Sequence, residues 1–145
     1  MSWILIASRT GARIIEKQGR ELSLVQELSH ARGRLRDREV DSDRHGRSFS
    51  RTGAASHSFG QPESPHEHDA KSFARELAES LRQGRMEGHY QRLVLIAEPH
   101  FLGLLRQALD DVTARLVAAT VSKDLTHVDL RQLASQLPEL PQPLI

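Results

Sequence analysis

Leu93-Val94-Leu95-Ile96-Ala97-Glu98-Pro99-His100-Phe101-Leu102-Gly103 is the stretch that decides the fold. Its first five residues are all apolar, the pattern of a strand buried on both faces. Pro99 follows at once; it has no N–H to offer and a fixed φ, so it suits the first turn of a helix. That helix carries Phe101, Leu102, Leu105 and Leu109. A buried strand handing over to a helix is half of a crossover unit, and the next strand is expected parallel to the first, at Leu116 to Val121.

Upstream, residues 3–7 and 12–17 read as two strands rich in β-branched residues. Ser8-Arg9-Thr10-Gly11 joins them as a hairpin loop, with Gly11 available for positive φ. After a polar turn containing Gly19, Leu22 to Leu28 mostly alternates apolar with polar, as a strand with one wet face should. Phe73, Leu77 and Leu81, padded by Ala70, Ala74 and Ala78, form a helical stripe that Asp69 is placed to cap and Gly84 to end. Downstream, Thr126 with Asp129 reads as a capping box, with Leu125 stapled onto Leu130, for a last helix through Leu133 to Leu137 that Pro138 stops.

The order is β-β-β-α-β-α-β-α. The expected class is α/β: a ribonuclease H-like three-layer sandwich whose mixed five-stranded sheet has three antiparallel strands, then two parallel ones, with helices on both faces. The 145 residues match one domain, expected to span 1–145. Residues 29 to about 69 are rich in Arg, Ser, Gly, His and Asp, include Pro62 and Pro65, and are expected as a long mobile loop.

Composition narrows the function. Twenty basic residues against 19 acidic ones leave a formal charge of +1, so there is no global pull toward nucleic acid or membrane, and charge-driven binding must come from local clustering. Cysteine is absent, which excludes disulfides, thiol nucleophiles and thiolate zinc sites. The apolar run at Trp3–Ala7 is too short for a secretory signal, and no window is long and apolar enough for a bilayer span. No membrane insertion is expected, and the cytoplasm is the default location.

Several segments together resemble the bacterial host-attachment protein family: Trp3-Ile4-Leu5-Ile6-Ala7 with Ala12-Arg13, Asp43-Arg44-His45-Gly46-Arg47, Phe73, the stretch 93–103 with Leu105-Arg106, and Lys123-Asp124-Leu125-Thr126. They come in the right order across nearly the whole chain. The resemblance implies a fold similar to the central domain of eukaryotic and archaeal class-one peptide release factors. In those factors a loop before the first helix carries Gly-Gly-Gln, whose glutamine helps position water at the peptidyl-tRNA ester. Here His45-Gly46-Arg47 resembles the lead-in, but Ser48-Phe49-Ser50 follows. Gly60 and Gln61, farther along the loop, retain one glycine and the glutamine; they read either as a remnant of that chemistry or as a flexible turn.

Other candidates come from residue chemistry. Arg32, Arg34, Arg36, Arg38, Arg44, Arg47 and Arg51 crowd into one segment, and guanidinium forks bind phosphate well. Asp37, Glu39, Asp41 and Asp43 interleave with them, so a solvated mixed-charge loop is the alternative. Arg44, His45, Gly46, Arg47, Arg106, Lys123 and Asp124 form the candidate nucleic-acid or partner surface. Lys123 and Asp124 sit where a strand hands over to a helix, a common ligand position in open α/β sheets; otherwise Asp124 helps to cap the next turn. Arg106 either faces solvent or pairs with Asp110 at i, i+4. His66 and His68, with His57 and Asp69, are candidate metal ligands, with solvated loop histidines as the alternative. A metal nuclease is disfavoured because Trp3 to Ser8 contains no acid. There is no catalytic triad, phosphate-binding glycine loop or dinucleotide fingerprint, and no cofactor is expected.

The leading expectation is therefore a non-catalytic accessory protein that binds the ribosome or tRNA. A peptidyl-tRNA esterase using Gln61 and a protein-partner scaffold or surface adhesin are the rivals.

Overall fold

The computed structural model describes residues 1–30 and 64–137. Strands β1 (Ser2–Ala7), β2 (Gly11–Gln18) and β3 (Glu21–Ser29) come first, then α1 (Pro65–Met86), β4 (Arg92–Ala97), α2 (Pro99–Ala108), a one-turn helix α3 (Asp111–Ala114), β5 (Val117–Ser122) and α4 (Leu130–Gln136). The five strands form one sheet in the order β3-β2-β1-β4-β5. β1 pairs antiparallel with β2, and β2 with β3, whereas β4 runs parallel to both β1 and β5. This is the mixed sheet expected; α3 is the one described helix that the periodicity did not reveal.

Strand parity sorts the core into two layers. Trp3, Leu5 and Ala7 of β1 and Leu93, Leu95 and Ala97 of β4 face α1 and α2, where Phe73, Leu77, Leu81, Phe101 and Leu105 cover them. Ile4, Ile6, Val94 and Ile96 point the other way, toward Leu125 and Leu133. Hence Trp3–Ala7 and Leu93–Ala97 had to be apolar throughout, and helices lie on both faces.

The structure moves several expected boundaries. α1 starts at Pro65, not after Asp69: Ser64 Oγ accepts the Glu67 N–H at 3.0 Å, and Pro65 fills the first turn, where its missing N–H is no loss. Residues 65–69, expected in the loop, thus belong to α1, His66 and His68 with them, and Asp69 is buried within it. Gly84 does not end α1, which continues to Met86. Its role is packing, since a Cβ there would come within 2.5 Å of the Trp3 ring. Gly11 does not take positive φ; Gly19 does, at 65°, in the two-residue turn between β2 and β3. Asp129, not Thr126, caps the last helix, its carboxylate accepting the Gln132 N–H at 2.8 Å.

β3 also differs from a strand with one wet face. Ile15 pairs with Leu24 and Ile14 with Gln26, so β3 carries one extra residue, Val25. This bulge switches the strand's parity. Leu22 therefore packs with the α4 layer and Leu28 with the α1 layer, leaving Leu24 and Val25 exposed at the sheet edge.

Where α1 ends, Tyr90 is 2% exposed and its hydroxyl donates to the Leu81 carbonyl at 2.5 Å. Burial pushes this phenol up to about 12. An unfolded tyrosine ionises near pH ~10, so the folded state favours the protonated form and its contribution is complete below that pH. Thermal stability is expected to begin falling above pH ~10 and to stop losing this contribution near 12, because the unfolded chain releases the proton first. Melting temperatures across that range check it, and Tyr90→Phe should flatten the fall.

Candidate functional site at the carboxyl edge of the sheet

Ala7, Ala97 and Ser122 end their strands side by side. The residues that follow, Ser8-Arg9-Thr10, Glu98-Pro99-His100 and Lys123-Asp124, therefore leave the sheet along one edge. His30 closes β3 at the same edge, its N–H donating to the Thr10 carbonyl at 3.1 Å. α1 begins there too, because Arg9 Nη1 lies 2.8 Å from His66 Nδ1.

Short polar contacts hold these pieces together. Glu98 caps α2, accepting the N–H groups of Phe101 at 2.8 Å and His100 at 3.3 Å. His100 Nε2 meets the Glu67 carboxylate at 2.8 and 3.0 Å, tying the first turns of α1 and α2 together at the surface. Two helix N-termini thus face this edge, each with its backbone donors partly satisfied by a side chain. From β2, the Arg13 guanidinium donates to the carbonyls of Leu125 at 2.9 Å and Val128 at 2.6 Å. It fastens the segment after β5 onto the sheet.

Of the residues expected at a site, Lys123 and Asp124 lie at this edge. Asp124 accepts both the Thr126 N–H, at 3.1 Å, and its hydroxyl, at 2.5 Å, and these bonds, the hydroxyl's above all, hold its carboxyl below the usual range. It shapes the turn and keeps a negative charge there at neutral pH, beside an exposed Lys123. Arg106 is not brought to the edge: seven residues into α2 at 1.5 Å each put it roughly 10 Å from the helix start, where it lines a shallow cleft with Val117 and Thr120. Nor does Asp110 pair with it; Asp110 lies 3.7 Å from Arg85 and caps α3 through the Thr113 N–H. Arg44, His45, Gly46, Arg47, His57, Gly60 and Gln61 lie outside the described residues. No group of three metal-ligating side chains stands together among the described residues, so His66 and His68 form no such cluster there.

Arg9, Arg13, Glu67 and His100 were not among the residues expected at a site. Arg13 did carry a signal, a lone cation in the apolar run Ala12-Arg13-Ile14-Ile15. The Glu67–His100 contact had none, because 33 residues separate its partners.

A family model for the "Protein required for attachment to host cells" matches residues 3–137. No curated protein matches the chain in sequence. Among solved structures, the crystal structure of an archaeal translation termination factor is similar at a TM-score of 0.53 and 14% identity, over 94% of this chain and 34% of that one. A structure described only as an archaeal protein gives a TM-score of 0.48 and 15% identity, over 93% of this chain and 32% of its own. The chain spans about a third of the length of these two proteins. At 14% identity the likeness to the termination factor is one of fold.

Proposed function

The chain belongs to the family of proteins required for attachment to host cells, and we propose that it works there as a non-catalytic, cytoplasmic domain that binds ribosomal RNA or tRNA at the carboxyl edge of its sheet. One observation carries this reading. His30 and Ser64, the described residues on either side of the arginine-rich segment, both belong to that edge, through the Thr10 carbonyl and through α1 with its Arg9–His66 contact. The chain thus leaves the described fold before Arg44 and Arg47, and returns to it after them, at the surface that bears Arg9 and Lys123. The described part of the edge also carries Glu67, Glu98 and Asp124, so its own charge is mixed and the segment's arginines must supply most of the attraction for phosphate. His45 and Gly46 lie between those arginines, and Asp124 sets the turn that presents Lys123.

The fold shared with an archaeal translation termination factor favours a partner in translation. The replacement of the release-factor tripeptide by Ser48-Phe49-Ser50 favours binding without hydrolysis. Attachment to host cells would then be an indirect consequence of a role inside the bacterium.

Filter binding of tRNA across a salt series tests the reading. Arg44→Ala with Arg47→Ala is expected to weaken binding at low salt and to flatten the slope of log K against log salt by about 1.5 to 2, the loss of two phosphate contacts. An unchanged slope would remove these arginines from the interface.

A further inference from the structure

The sheet has two open sides, and they are unequally protected. β3 ends it on one side and carries Glu21, Glu27 and the bulge at Val25, devices that keep a strand from pairing with another chain. β5 ends it on the other side, and Val117-Ala118-Ala119-Thr120-Val121-Ser122 contains no charge and no proline. Within the sheet it pairs with β4 alone. From Ala119 to Ser122 its register is regular, so every second residue there turns its backbone N–H and C=O away from the sheet.

A cleft of about 440 Å³ lies beside this strand, between β5 and the end of α2. A bulge helps to form it. Leu93 pairs with Val117 and Val94 with Ala119, so Ala118 is the extra residue, and Val117 and Thr120, three positions apart, come to face the same α2 side. They join Arg106, Gln107, Leu109 and Ala114 in a lining that is largely apolar, with one guanidinium and no carboxylate.

Arg106 is exposed and makes no ion pair among the described residues. Asp110, four residues on, is engaged elsewhere. The Thr113 hydroxyl and N–H donate to it at 2.6 and 3.2 Å, Arg85 lies 3.7 Å away, and these contacts, the hydroxyl's above all, hold its carboxyl below the usual range. Arg115, exposed two residues before β5, is likewise without an ion pair among the described residues. The open strand thus lies beside cations whose counter-charge the described fold does not supply.

We infer that β5 accepts an extended acidic segment of a partner protein as a sixth strand. The segment's backbone pairs with the outward groups of Ala119 to Ser122, and an aspartate or glutamate side chain over the cleft meets the Arg106 guanidinium. A second copy of this chain is the poorer occupant, because two β5 strands side by side would add Arg106 and Arg115 of one copy to those of the other. The inference does not rest on the RNA reading, which uses neither Arg106 nor the open side of β5.

The full chain, labelled with nitrogen-15, would be titrated with acetyl-Glu-Val-Glu-Val-Glu-amide and, separately, with acetyl-Lys-Val-Lys-Val-Lys-amide and with tRNA. At a concentration roughly ten times its Kd, the acidic peptide is expected to slow about tenfold the exchange of those amides of Ala119 to Ser122 that point away from β4. Arg106→Gln, at an exposed position, is expected to weaken its binding about threefold to fivefold. No slowing of these amides with the acidic peptide would overturn the proposal, as would equal binding of the lysine peptide or an affinity that Arg106→Gln leaves unchanged. Slowing by tRNA in place of the peptide would assign the surface to nucleic acid, and slowing that grows with protein concentration alone would assign it to a second copy. Either result also overturns the proposal.

Discussion

Phe73→Ala is expected to lower the unfolding free energy by about 3–5 kcal/mol, because the side chain is large and its surroundings cannot collapse into the space it leaves. Phe73 is 0% exposed at the centre of the layer between α1 and the sheet. Its ring stacks on His30 at 5.0 Å and tilts against Phe101 at 6.1 Å, joining α1 to α2 and to the end of β3. The functional consequence lies at His30, which is 6% exposed and is the last described residue before the arginine-rich segment. Without the stacked ring, the polar contacts of His30 among the described residues are its N–H bond to Thr10 and a 3.9 Å approach of Nδ1 to Glu76. Urea unfolding measures the cost. A loss below about 1 kcal/mol would mean that the site repacks freely and that α1 does not clamp this corner.

Arg13→Met is expected to cost about 2–3 kcal/mol, with an effect that is local in space and distant in sequence. Methionine keeps much of the aliphatic volume but deprives the Leu125 and Val128 carbonyls of their charged donor, 112 and 115 residues away along the chain. The segment from Lys123 to Asp129 would then hold to the sheet chiefly through Leu125. Amide exchange of residues 126–129 should accelerate while that of β1 and β4 stays slow. Unchanged exchange there would show that Arg13 does not hold the turn that presents Lys123 and Asp124.

Much of the fold was legible because the central strands each carry five consecutive apolar residues. Leu93 to Ala97 and Trp3 to Ala7 are buried on both faces, and such runs announce a sheet covered on both sides. Helix boundaries were harder where two residues compete for one role. Asp69 and Ser64 are both good caps, and the choice went to Ser64 because Pro65 follows it; Asp69 then became a buried residue inside α1. Gly84 looks like a stop from its position, yet its conformation is helical and its smallness serves the Trp3 ring. The β3 bulge left no mark, since one extra residue changes which side chains are wet without changing the composition.

The site was less legible because its contacts join residues far apart in sequence. Lys123 and Asp124 could be placed from the strand-to-helix handover alone. Arg9 with His66 and Glu67 with His100 require knowing that α1 and α2 start at the same edge. Arg106, read as facing solvent or pairing with Asp110, is exposed seven residues into α2, and Asp110 turns to Arg85 instead.

Co-sedimentation of the purified protein with ribosomes across a salt series tests most directly whether this domain meets RNA through the carboxyl edge of its sheet. The expected result is association at low salt that declines steeply as salt rises and is lost in the Arg44→Ala, Arg47→Ala double variant. Absence of association at every salt concentration, or association that the double variant leaves intact, would contradict it.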